Sequence, residues 1–383
     1  MPNGINQSKE AIHIIKPFTM QIKQIVRELE EFASLSLQES YDNSGLAVGD
    51  IDREVQSVLL CLDVTVEVME EAEKIGAGLI ISHHPVIFGK LEKLTGSTYA
   101  ERIVIRAVRS NIALYSSHTN IDSVIGGVNS RIADKIGLKD CEILSPARGI
   151  LKKLAVFVPV DHAASVRQAI FDAGAGHIGE YDQCSFNIEG AGSFRGSEKS
   201  DPFAGKPGTL HFEKEIRVET IFPGFLESRI IERMKEAHPY EEVAYDIYPL
   251  DNKYHRAGMG MAGNLENPMD PTEFLMFLKE VFRSQSIRHS AIPDRKISRV
   301  ALCGGSGSFL AGAARKSGAD VYVSGDFKYH DFFQPDQRMM IADIGHFESE
   351  QFTLEIFHEL LTKKIPNFAV HFSEVNTNPI HYF

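Results

Sequence analysis

At residues 78–88 the chain reads GLIISHHPVIF, and a short apolar run delivers two adjacent histidines, His83 and His84, just before Pro85. Imidazole is the commonest side-chain metal ligand. Where a strand breaks into a loop, two neighbouring imidazoles can turn toward one pocket, each with its own ion. Asp122 in SSHTNID lies just past a second apolar run, and a carboxylate can bridge two cations through its two oxygens. His346 and Glu350 in DIGHFESE are four residues apart where a helix is expected to begin, so they share one helical face. Together His83, His84, Asp122, His346 and Glu350 form a mixed nitrogen and oxygen set suited to two divalent ions, with Zn, Fe or Mn as candidates.

The elements around these residues alternate. SVLLCLDV reads as a strand, residues 67–75 as a helix, GLIIS as a strand, AERIVIRAVRSN as a helix, IALYSS as a strand and GGVNSRIADKIG as a helix. That succession predicts an α/β sheet with parallel strands. The C-terminal part repeats it: VLLCLDV is echoed by VALCGGS and AEKIGAGLIISHH by ARKSGADVYVSGD, with Cys61 over Cys303 and Ser82 over Ser324. A second echo sets His118 and Asp122 against His346 and Glu350. By this repeat His118 is a further candidate, either as a ligand or as a group that orients one. If the echo is a duplication, the strand ends of both halves would converge on one cleft.

Residues 151–250 read differently, as strand, helix, a Gly-rich hairpin region, strand, helix and strand. This βαββαβ order predicts an inserted ferredoxin-like unit. The expected organisation is therefore an N-terminal extension at 1–19, a first α/β lobe at 20–150, the insert at 151–250, and a second α/β lobe at 251–383 completing one discontinuous domain with the first. Two further stretches are weighed. CGGSGS, residues 303–308, follows a strand and reads as a tight turn, with a phosphate cradle as the alternative. AHPYEEVAYDIY, with His238 and Tyr240, reads as packing and surface groups.

Composition narrows the function classes. The 383 residues carry 40 Lys plus Arg against 52 Asp plus Glu, a formal charge of −12, so the chain lacks the overall basic footprint of a nucleic-acid binder. A small anionic ligand remains compatible where metal ions or a local basic pocket offset the field. Cys61, Cys141, Cys184 and Cys303 form no CxxC, which fits reduced thiols and a cytoplasmic location. No stretch approaches the roughly 20 apolar residues of a membrane span, and the N-terminus does not read as a signal peptide.

The motifs ESYDNSGLAVGD, ISHHPVIF, SSHTNID, SGDFKYHDF and DIGHFESE, taken in order, resemble those of the NIF-three-like (NGG-interacting factor) dinuclear-metal hexameric proteins, also called GTP cyclohydrolase 1 type 2 homologs. The resemblance runs from about residue 20 to the C-terminus, and the central unit is similar to the PII-like or CutA-like insert of the longer members. It implies two metals on His83, His84, Asp122, His346 and Glu350, with His118 as a supporting residue. It also implies that Asp326, Lys328 and His330 in GDFKYHD line the same cleft as acid/base or substrate-anchoring groups. A toroidal homohexamer, a trimer of dimers, is expected. The expected function is a metal-dependent hydrolase of a nucleotide or phosphate-containing small molecule, GTP cyclohydrolase-like by resemblance. The alternative is a metal- or metabolite-responsive oligomeric scaffold without catalysis.

Overall fold

A computed structural model describes residues 18–334 and 338–383. Most of the expected N-terminal extension lies outside the described residues. The chain has a mixed α/β architecture with several sheets and divides into two compact units, 1–121 with 351–383 and 122–350.

The first unit is built on a five-stranded sheet in the order Ala369–Phe372, Ser57–Cys61, Leu79–Ser82, Ala113–Ser116 and Gly45–Val48. The first four strands are parallel and the last runs antiparallel. The three inner strands are buried along their whole length, as expected for parallel strands covered on both faces. Leu59, Ile80 and Leu114 pack in one cluster with Val68, Met69 and Ala72 of the Val66–Ile75 helix and Ile103 and Ala107 of the Tyr99–Arg109 helix. Each of these helices starts on a threonine, Thr65 or Thr98, whose side chain accepts from a first-turn N–H at 3.2 Å.

The second unit contains a six-stranded sheet in the order Arg288–His289, Met340–Asp343, Val321–Gly325, Ile297–Ser306, Tyr254–Met269 and Lys139–Ala147. Its Ile297, Val321 and Met340 strands are mutually parallel. Strand–helix–strand–strand–short helix recurs from Ser57 to Asp122 and from Ile297 to Glu350, with an extra helix at Tyr99–Arg109 in the first series and a 3-10 turn at Tyr329–Phe333 in the second. The two echoing stretches thus build the same local pattern.

The same unit holds a four-stranded antiparallel sheet, Tyr245–Pro249, Leu151–Pro159, His211–Pro223 and Phe186–Phe194 in spatial order. Leu154, Val156, Val158, Val218 and Phe222 point from it into a core shared with the Ala163–Asp172 and Glu227–Ala237 helices.

Strand pairing departs from the expected boundaries at two places. Lys139–Ala147, expected in the first lobe, pairs with Tyr254–Met269 in the six-stranded sheet, and Ala369–Phe372, expected in the second, pairs with Ser57–Cys61. Both are edge strands with much exposed surface, so their own sequences carry little of the information that selects their neighbours. Among the described residues no helix is long and apolar enough to cross a membrane.

Leu59 is fully buried in the first core, so Leu59→Ala is expected to cost about 2–5 kcal/mol of unfolding free energy. Urea titration followed by circular dichroism checks this; a loss below about 1 kcal/mol would mean that the core collapses around the gap.

Candidate metal centre

In the first unit the neighbouring parallel strands Leu79–Ser82 and Ala113–Ser116 both end in serine. The Leu79–Ser82 strand continues its ladder beyond Ser82, with the backbone N–H groups of His83 and His84 donating to the carbonyls of Cys61 and Leu62 at 3.2 and 3.0 Å. Ser82 Oγ donates to the His84 carbonyl at 2.8 Å, which fixes the turn. His118 sits just past the next strand end, and the three imidazoles gather with ring centroids 4.8 to 5.3 Å apart. One ligand atom from each lies within 4.8 Å of the others, a spacing that could hold a metal ion. His83 is fully buried, while His84 and His118 are partly exposed.

Each ring is clamped through Nδ1. His84 Nδ1 lies 2.7 Å from Asp63 Oδ1, His118 Nδ1 lies 2.8 Å from Asp42 Oδ1, and His83 Nδ1 lies 3.0 Å from the Ser117 carbonyl oxygen. With Nδ1 so engaged, Nε2 is the atom each would present to a metal. Burial alone would favour the neutral acid of Asp42. Hydrogen bonds from His118, Thr119 and the Asn43 N–H outweigh it and hold the carboxyl well below its usual range.

The second unit holds an imidazole–carboxylate group of its own. Helix His346–Glu350 begins right after the Met340–Asp343 strand, and His346 Nε2 meets Glu350 Oε2 at 3.0 Å across one turn. His346 Nδ1 is held by Asp326 Oδ2 at 2.7 Å. Burial lowers the His346 pKa, but the Glu350 charge and the hydrogen bonds to Asp326 and Glu350 outweigh it and push the value up to about 11. Two carboxylates around one imidazole thus favour positive charge at this spot, whether a proton or a cation supplies it. Asp326 adopts φ +58°, a left-handed conformation unusual for a residue with a side chain. Asp122 and Glu350 are both buried, and after burial itself their charges are the main causes that raise the Cys303 thiol pKa. A buried neighbourhood holding both acids has the hard-oxygen and imidazole chemistry that a divalent cation fits.

Gly305, at φ +60°, makes room for this group: a Cβ there would lie 2.1 Å from Glu350 Oε1 and 3.4 Å from His346 Cε1. The stretch CGGSGS, read from the sequence as a tight turn, is in large part strand. It continues the Ile297–Ser306 strand with a register irregularity between Leu302 and Ser306. The Gly304 and Gly305 N–H groups donate to Asn129 Oδ1 at 3.0 Å and Ser349 Oγ at 2.9 Å. Asn129 also donates to the Asp122 carbonyl at 2.9 Å, so one amide ties both segments together.

Among the remaining sequence candidates, Asp326 acts through His346. Lys328 and His330 are exposed, and the His330 ring contacts are with Tyr329 and Phe333. His118, assigned a supporting place by resemblance, meets the same spacing criterion as His83 and His84. Sequence reasoning nominated neither Asp42 nor Asp63. The acids stand in ESYDNSG and VLLCLDV, and their position at or before a strand end was the available signal.

Two consequences can be measured. Gly305→Ala is expected to leave the circular dichroism spectrum intact while reducing bound divalent metal by at least about tenfold, because a displaced Glu350 loses its donor geometry; unchanged metal content by elemental analysis would contradict it. Because the Asp42 pKa is depressed on folding, its stabilisation is complete above the ordinary carboxyl value and is lost as pH falls toward the folded value. Asp42→Ala is therefore expected to be about 1–3 kcal/mol less stable at pH 7. The gap should narrow as pH drops from 5 to 3 in denaturant titrations, and a constant gap would rule out this origin.

Comparison with known proteins agrees with the motif reading. The sequence profile of the family described as Duf34/NIF3 (NGG1p interacting factor 3) matches residues 20–379. The GTP cyclohydrolase 1 type 2 homolog of Bacillus subtilis (strain 168) is 37% identical over 372 residues, covering 94% of this chain and 98% of the relative. The protein of the same name from Halalkalibacterium halodurans is 38% identical over 366 residues, covering 94% and 98%. A solved structure of a Bacillus cereus protein related to NIF3 superposes with a TM-score of 0.82 at 37% identity, over 95% of this chain and 99% of that one. The chain therefore belongs to the Duf34/NIF3 family.

Proposed function

We propose that His83, His84, Asp122, His346 and Glu350 together hold two divalent ions, of Zn, Fe or Mn type, and that the protein is a metal-dependent hydrolase of a nucleotide or other phosphate-bearing small molecule. The observation that carries this reading is the Nδ1 clamp on every candidate imidazole: Asp63 on His84, Asp42 on His118, Asp326 on His346 and the Ser117 carbonyl on His83. Such partners fix the tautomer and raise the basicity of a metal-binding histidine. Bound divalent ions would supply Lewis-acid polarisation of the substrate and activation of water. The chain's own residues set the geometry. Asp63 and Asp326 orient their histidines, and His118, steadied by Asp42 and left out of the metal set, would carry a proton at Nε2 to or from a substrate. Lys328 and His330 are candidates to meet the anionic part of that substrate. The shared name of the relatives makes GTP the first substrate to try.

In this reading residues 151–250 are an inserted PII-like or CutA-like domain of ferredoxin-like topology, and the subunits form a toroidal hexamer in the cytoplasm. The strand order of the four-stranded sheet supports the topology, and the motif resemblance supports the assembly. A ligand-responsive scaffold without catalysis is a second reading, favoured by an inserted unit that contributes no residue to the metal centre.

Elemental analysis of His83→Ala and Glu350→Ala is expected to find bound metal well below the parent's, with the fold retained. Metal-loaded parent protein should turn over GTP or a phosphate ester. Full metal retention in both variants would sink the ligand assignment, and full occupancy without turnover on any such substrate would leave the scaffold.

A further inference from the structure

The parallel strands Ile297–Ser306, Val321–Gly325 and Met340–Asp343 of the second unit start beside a cleft of about 670 Å³, within the size range of small-molecule sites. It is lined by Arg295, Arg315, Lys316, Gly318, Ala319 and Arg338, four cations and, among the described residues, no carboxylate. Asp326 and His346 stand past the other ends of these strands. At about 3.3 Å of rise per residue, the cleft lies on the order of 20 Å from them.

Such a cluster is out of keeping with a chain of formal charge −12. A helix C-terminus attracts cations on its own account, which explains Arg315 and Lys316 at the end of helix Ala311–Lys316. It does not explain why Arg295 and Arg338 converge on them from two other segments. Among the described residues only Arg295 of the four pairs with an acid, Nε to Asp320 Oδ1 at 2.9 Å. Arg315 donates to the Gln334 carbonyl at 3.3 Å, which leaves its charge in place. Three cations thus repel one another across the cleft, and walls of one sign focus their field on whatever anion enters.

The site is braced before any ligand arrives. Asp320 Oδ2 accepts the N–H groups of Ser298 and Arg299 at 2.9 and 3.0 Å while Oδ1 holds Arg295. Arg295 Nη2 in turn donates to the Arg338 carbonyl at 2.7 Å, tying the first and last segments together. Gly318, at φ +80°, turns the chain out of the helix, and a Cβ there would meet nothing within 4 Å, so this wall is open. Guanidinium forks match the paired oxygens of phosphate, and cations from three segments suit successive phosphates better than one carboxylate. Among the described residues no aromatic ring lines the cleft, so nothing there stacks on a base.

We propose that this cleft binds a short phosphate chain, free or at the end of a nucleotide, at a site separate from the metal centre.

Titration calorimetry of the metal-loaded full chain with inorganic triphosphate, a non-hydrolysable ATP analogue and orthophosphate tests this. Triphosphate is expected to bind with Kd below about 1 mM, the analogue within about threefold of it, and orthophosphate at least about tenfold more weakly. Joint reversal by Arg315→Glu and Lys316→Glu should weaken triphosphate binding at least about tenfold. The matched reversal Lys74→Glu with Lys279→Glu, exposed lysines in the last turns of other helices, should change it by less than about twofold. Arg338→Gln, on a different segment, should weaken it about threefold or more and covers the case in which the first double variant fails to fold. Glu350→Ala should keep the affinity of the parent. Equal losses in the two double reversals would reduce the effect to overall charge and overturn the proposal. So would loss of binding in Glu350→Ala, orthophosphate bound as tightly as triphosphate, an analogue bound tenfold more tightly than triphosphate, or no heat from any of the three.

Discussion

The hydrogen bond at imidazole Nδ1 is the constraint on which the candidate centre depends. A histidine ring has two nitrogens and rotates about two bonds, so without a partner it presents neither a defined atom nor a defined direction. Asp63, Asp42, Asp326 and the Ser117 carbonyl remove that freedom one ring at a time. Two of these acids occupy strand ends, and the third stands just before a strand. There the backbone is anchored on one side by the ladder and open on the other, so the partners are as rigid as the sheets that bear them.

That arrangement asks something of the backbone. Asp326, which holds His346, takes up a left-handed φ, and Gly305 clears the space into which Glu350 projects. Neither feature favours folding of the local segment. Both are maintained because flanking strands such as Ile297–Ser306 and Val321–Gly325 are buried and paired along most of their length. The cores thus supply the stability that the strand ends spend on geometry.

Much of this could be read beforehand. The apolar strands leading to His83, His118 and His346 are short, continuous and followed by polar residues, so the strand-end placement of those histidines was legible. The recurrence of strand and helix types in the two stretches was legible as well, because it is written in local periodicity. What could not be read was pairing across long separations. Lys139–Ala147 and Ala369–Phe372 are edge strands whose exposed residues fit several neighbours. The clamping acids were hidden for a related reason: Asp42 reaches His118 across 76 positions, and no spacing rule connects them.

The pairing of Ala369–Phe372 with Ser57–Cys61 has a bearing on biosynthesis. A ribosome releases the N-terminal strands long before it makes the one that completes their edge, a lag on the order of tens of seconds at typical elongation speeds. Over that interval the nascent sheet exposes unsatisfied amides and carbonyls along Ser57–Cys61. Side chains that tether the segment after this strand, Thr377 to Asp63 and Ser373 to Glu71, arrive later still. Asp63 is also the residue that steadies His84, so this corner of the protein waits on a partner 314 positions downstream.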